Sequence, residues 1–192
     1  MSKVKVGMKF PKFVKIASEA QAALPTYGAE IVDIGEAISG NLTVNLASGE
    51  LYSNDALNIK VTDFANASIA LETDGLDDEV ATVLFGATAN EGLVTYKAGD
   101  AAPNGGLTYY TPMRDKTGAV YYKGYFFPKV QAAMGNDNAA TKGSSISFQT
   151  ANTTFTIMKC NSDAWMQTEV LSTEAEALAW CEAKLGKTTG GE

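Results

Sequence analysis

The chain's 192 residues include no histidine, so any chemistry must come from carboxylates, lysines, hydroxyls or thiols. That removes the commonest general base and every nucleophile, histidine and acid triad. The densest reactive group is Asp77, Asp78 and Glu79. Three successive carboxylates could hold a cation, but the ligand spacing and closing Glu of a calcium loop are missing. The same triplet suits the start of a helix, where acids meet the positive end of the macrodipole, and that is the reading adopted. Cys160 and Cys181 are too few for a disulfide framework, and a zinc site would need an all-thiolate or carboxylate set that is not visible. Buried, reduced thiols are expected. No nucleophile elbow, phosphate loop or spaced carboxylate pair accompanies the Ser, Asp and Lys residues, so neither an enzyme nor a cofactor is expected.

Binding is the next class to weigh. Trp165, Trp180 and the tyrosines could serve a glycan- or receptor-binding β-sandwich, but both tryptophans also read as core residues, Trp180 within an amphipathic helix. A net charge of -7 and a pI near 4.7 argue against a surface that grips nucleic acid by neutralising phosphates. No apolar run approaches the roughly 20 residues needed to span a bilayer. The segment MSKVKVGMKFPK has no signal-peptide core, so a soluble protein made in the cytosol, with no membrane partner, is expected.

These side chains must be positioned by a chain that reads as mainly β, organised around Ala119 to Met158. Within it Val120, Tyr122 and Phe126 face one way and Tyr121, Lys123, Tyr125 and Phe127 the other, so one strand carries aromatic rings on both faces and is covered on both. After the turn-forming GNDNAATKG, Ile146 and Phe148 alternate with Ser145, Ser147 and Gln149, giving a second strand with one dry and one polar face. The two are expected to form one antiparallel pair.

Towards the amino end, Val4 to Ile16 is apolar without helical rhythm and contains Pro11, as in an arm or edge strand. Ser18 to Ala23 allows one turn of helix at most. From Glu30 the pattern is β, and Asn41, Thr43 and Asn45 alternate with Leu42, Val44 and Leu46 as in a half-buried strand. A long connection over residues 47–67 carries Leu51, Tyr52, Leu57 and Phe64 and leads to a strand at Ser68 to Thr73. It either folds back as a hairpin over its own domain or reaches out to a neighbouring subunit. A helix is predicted over Asp74 to Gly86, then an extended Val94 to Lys97. Leu107 to Met113 should pair with Tyr121 to Phe127 across RDKTG. Thr153 to Met158 and Trp165 to Val170 read as a further pair across CNSDA. Thr173 and Glu176 form a capping box for a last helix, with Leu178, Cys181 and Leu185 on one face and Gly186 at its end. Residues 187–192 read as a frayed tail. There is no internal repeat and no composition shift, so residues 1–192 are read as one domain. The expected fold is an antiparallel β-sandwich or partly closed barrel flanked by a short helix, with a carboxyl-terminal helix.

Five stretches resemble the major tail proteins of long-tailed, non-contractile bacteriophages of Gram-positive hosts. They are PTYG with IGEAISGNLTVN (Pro25 to Asn45), LYSNDAL (Leu51 to Leu57), DDEVATVLFG, FFPKVQ with TKGSSISFQT (Phe126 to Thr150) and, more weakly, TEAEALAW. They occur in the family's order and cover most of the chain. The resemblance implies a structural virion protein: a tail-tube β-sandwich forming stacked hexameric rings, a conduit for DNA ejection into the host. It implies residence in the virion tail, with assembly in the host cytoplasm. Its partners would be other copies of itself and the tape measure, tail terminator and distal tail proteins, while DNA passes without specific binding. Each subunit would supply about four strands to a shared barrel of about 24, where 16 to 18 already leave an aqueous channel. The long connection and the arm at residues 1–28 would contact neighbouring subunits, through Leu51, Tyr52, Asp55 and Leu57 and through Phe10 and Phe13. No appended immunoglobulin-like domain is expected. Asn41, Thr43, Asn45, Ser145, Ser147 and Gln149 are candidates for the wetted wall, or for an ordinary solvent-facing sheet.

Overall fold

A computed structural model describes residues 3–136, 141 and 149–187. The strands are β1 (Lys3–Lys5), β2 (Lys9–Ser18), β3 (Thr26–Asp33), β4 (Ala37–Ser53), β5 (Ala56–Thr73), β6 (Thr88–Asn90), β7 (Leu93–Thr95), β8 (Asn104–Asp115), β9 (Val120–Met134), β10 (Ala151–Ile157) and β11 (Gln167–Leu171). Helix α1 (Asp78–Phe85) follows β5, and α2 (Glu174–Lys184) follows β11. The fold is mainly β and antiparallel. One sheet runs β3-β2-β8-β9-β10-β5-β4, with β1 added to β8 and β11 to β9, and it does not close into a barrel.

The expected β8/β9 hairpin forms the spine, and each of its strands changes partner along its outer edge. Strand β8 pairs with β2 through Tyr110 and with β1 from Met113; β9 pairs with β11 through Phe126 and with β10 from Val130. A proline sits in each gap, Pro112 in β8 and Pro128 in β9. Lacking an N–H, proline cannot complete a continuous ladder, so it fits where one partner strand hands over to the next. Pro11 plays a similar part in β2, at the register shift between Lys9 and Lys12.

The sheet folds over, so that strands from both ends of its path share one core. Phe13 of β2 and Phe155 of β10 have ring centroids 6.2 Å apart, and Ile69, Leu71, Phe127, Val130 and Ile157 join them. Helix α1 adds Val80, Val83 and Leu84. On the other side of β9, Phe126 packs with Val14 and Leu185, while Tyr110 packs with Ala177 and Cys181 of α2. Aromatic residues therefore do enter cores on both faces of β9. Gly124 is required there: a Cβ would stand 2.6 Å from the Trp180 ring.

Both helices start and stop near where expected, but only α2 has a side-chain cap; Asp77 makes no capping hydrogen bond. Asp77 is the N-cap of α1, with Asp78 and Glu79 in its first turn and Gly86 at φ 75° closing it. Thr173 and Glu176 make the reciprocal capping box of α2.

Four expectations need correction. Lys9–Ser18 does not form a projecting arm, and the segment Ser18 to Ala23 makes a turn and no helix: β2 lies between β3 and β8 inside the sheet, because its apolar residues Phe13 and Val14 fill two cores, while of the expected arm or edge strand at Val4 to Ile16 only β1 sits at an edge. The connection at 47–67 is not a loop but the outer part of a continuous β4/β5 hairpin. Its two-residue turn, Asn54 and Asp55, has φ of 51° and 61°, the left-handed geometry that matches strand twist. Strands β10 and β11 do not pair with each other; each takes a different half of β9. The spine strand's partner is Ala151–Ile157, whereas the predicted second strand lies mostly outside the described residues.

Candidate assembly surface

The register across β4, β5, β10 and β9 lines up residues in rows, and cross-strand partners share a face. One face reads Ser39, Glu72, Asn152; then Asn41, Ala70, Thr154, Ala133; then Thr43, Ser68, Thr156, Gln131; then Asn45, Asn66. The opposite face reads Gly40, Leu71, Thr153, Met134; Leu42, Ile69, Phe155, Ala132; Val44, Ala67, Ile157, Val130. The second set supplies much of the core. The first set is exposed or half-buried and holds hydroxyls, amides and methyls. Glu72 is its one ionisable group, and it accepts hydrogen bonds from Ser39 Oγ at 3.0 Å and Thr150 Oγ1 at 2.7 Å. Asn45 donates to Asn66 Oδ1 across the strands at 2.8 Å.

Asn41, Thr43 and Asn45 thus belong to a larger polar face than the sequence reading named. Gln149 is exposed and precedes β10; Ser145 and Ser147 lie outside the described residues. The remaining members were missed although Asn152, Thr154 and Thr156 alternate as plainly as Asn41, Thr43 and Asn45 do. That signal was assigned to a hairpin with the wrong partner.

This face ends at β4, whose outer edge has no strand partner among the described residues. Every residue from Thr43 to Asp63 is exposed, so the outer hairpin stands clear of its own subunit. Val44, Leu46, Leu51, Tyr52, Leu57, Ile59 and Val61 there are between 40 and 62% exposed. An ion pair between Lys60 and Glu50 (2.8 Å), joined by the Tyr52 hydroxyl, stiffens the hairpin. Of the proposed contact residues, Leu51, Tyr52, Asp55 and Leu57 all lie at this tip. Phe10 is partly exposed and stacked on Tyr110 at 5.8 Å. Phe13 is 0% exposed and cannot meet another subunit.

The chemical candidates are structural in placement. Burial pushes the Cys181 thiol up to about 12, which leaves it un-ionised and unreactive at neutral pH. Cys160 is buried and free. The Glu174 carboxylate is held below the usual carboxylate range by Lys9 and Tyr110, which donate to the same oxygen at 2.7 and 2.8 Å. That network fastens the start of α2 to the sheet. Glu19 is lowered by Lys129, 2.7 Å away, and also accepts from the Asn161 N–H, joining two loops to β9. Trp165 stacks on Phe64 at 4.6 Å and Trp180 packs from α2 against Gly124 and Phe126 of β9, so neither offers an open platform to a sugar. Among the described residues no group of three or more Cys, Asp or Glu is arranged to hold a metal ion. No helix among them is long and apolar enough to cross a membrane.

A scan against protein-family models and a search of curated proteins both return no match.

Proposed function

We propose that this protein is the subunit of a bacteriophage tail tube, forming hexameric rings that stack into a hollow conduit for DNA. The observation that carries the reading is the nearly uncharged polar face of β4, β5, β10 and β9, bounded by a long edge strand with no partner among the described residues and a projecting apolar hairpin. A free edge of this length is a template for pairing with another chain. Exposed apolar groups on a stiff hairpin are suited to burial against a neighbour. Four strands from each of six copies would give a barrel of about 24, wider than the 16 to 18 strands that already leave an aqueous channel. Hydroxyls and amides along such a wall release no counterions from passing phosphates, so they do not hold the cargo. The acid-rich remainder, about -42 for six copies of a chain of net charge -7, repels it. The resemblance to phage major tail proteins points the same way.

Electron microscopy of the purified protein tests this. Rings or tubes with sixfold end-on views are expected. A monomer at every concentration, with or without a tail-tip complex to start growth, would count against the proposal.

A further inference from the structure

The cations of this acidic chain are unevenly placed. Lys9, Lys12, Lys60, Lys129, Lys159 and Lys187 form ion pairs. Lys3, Lys5, Lys15, Lys97, Arg114, Lys116, Lys123 and Lys184 form none with a described residue, and of these Lys3, Lys5 and Lys123 share one face of β1, β8 and β9. Lys5 pairs in register with Met113, which pairs with Tyr121, and Lys3 sits opposite Asp115. Lys3 Nζ lies 3.4 Å from the Tyr121 ring centroid, and Lys5 and Lys123 flank Tyr125 at 5.0 and 5.1 Å. Cation–π contact holds these ammonium groups in place without neutralising them. Asp115, opposite Lys3 in register, is engaged by Thr117 and the Ala119 N–H in closing the β8/β9 turn. The outer edge of β1 has no strand partner among the described residues.

We propose that this basic, tyrosine-lined face docks on the acidic stretch Asp74–Glu79 of a second copy. Charge complementarity selects this occupant: another copy brings Asp74, Asp77, Asp78 and Glu79, exposed and without ion pairs among the described residues, in a fixed arrangement opposite in sign to the lysine face. The two surfaces differ, so the contact is heterologous and propagates head to tail instead of closing a pair. It would give the proposed tube its polarity and make growth sensitive to salt over the Debye length, about 8 Å at physiological ionic strength. This inference rests on the tube reading.

The test compares tube growth by light scattering and electron microscopy for four proteins: the unaltered chain, Lys3→Glu/Lys5→Glu/Lys123→Glu, Asp77→Lys/Asp78→Lys/Glu79→Lys, and the chain with all six changes. Circular dichroism confirms folding, and Lys3→Gln/Lys5→Gln/Lys123→Gln replaces the first variant if it does not fold. Each triple variant should slow growth at least about tenfold, as loss of steering charges does, and the six-fold swap should restore it. Tubes growing at the unaltered rate from either triple variant would overturn the docking contact and leave the tube reading standing. An unaltered chain that never assembles would sink both. Co-sedimentation of the unaltered chain with phosphatidylglycerol vesicles, lost in the lysine variant, together with undiminished growth would assign the patch to a membrane instead.

Discussion

At its root the β4/β5 hairpin buries Ala67, Ile69 and Leu71 against Phe155 and Ile157; at its tip Leu51, Ile59 and Val61, equally apolar, are about half exposed. Local sequence does not separate the two regions, since both are runs of β-branched and aliphatic residues in paired strands. What differs is the second layer. The root lies under α1, β2 and the loop bearing Trp165, while among the described residues the tip has only its own two strands. A two-stranded ribbon is marginal by itself, and the tip is held by its tight turn and the Glu50–Lys60 bridge. In the proposed tube, that open apolar surface is what a neighbouring copy buries.

That contrast can be broken or sharpened in order of expected effect. Phe155→Ala, at a fully buried core position, should cost about 3–5 kcal/mol in denaturant unfolding and could leave no folded subunit. Gly124→Ala should cost about 1–3 kcal/mol, because its Cβ must displace the Trp180 ring. Thr173→Ala removes the capping box and should cost about 1 kcal/mol, read as a lower unfolding midpoint with an unchanged slope. Tyr52→Asp with Leu57→Asp should change monomer stability by no more than about 0.5 kcal/mol, as for exposed sites, yet stop ring or tube formation. A tip variant that unfolds the subunit would erase the distinction between the two regions.

A pH series adds an independent check on the body of the subunit. Lys129 lowers the Glu19 pKa in the folded state, so folding disfavours the proton there. The stability it supplies is present above the unfolded carboxylate pKa, about 4.3, and is lost as pH falls through the lower folded value. Unfolding free energy should therefore drop on acidification below about pH 5, and Glu19→Gln should flatten part of that drop.

How much was legible in the sequence follows the range of the interactions. The helix limits at Asp77 and Gly86 and the capping box of Thr173 and Glu176 depend on neighbours three or four residues away, and they fall where the sequence places them. The two-sided strand at Tyr121 to Phe127 and the polar alternation at Asn41 to Asn45 were also readable, because period-two patterns are local. Partner choice was not. Nothing near Ala151–Ile157 says that it lies between β9 and β5, and Pro128, which divides β9 between two partners, carries that information only once the register is known. Pro11 misled, since it sits at a register shift inside the sheet and not in a free arm. The hairpin tip resembles a loop in the sequence because its apolar residues lack the one-sided pattern of a covered strand, although Asn54 and Asp55 are an available turn signal.

The most direct test is a helical reconstruction of the assembled protein by electron cryomicroscopy. The proposed tube predicts that Asn41, Thr43, Ser68, Thr154, Thr156 and Gln131 face an axial channel, with each hairpin tip buried against another copy. An assembly that turns this face outward, or hairpin tips left in solvent, would contradict it.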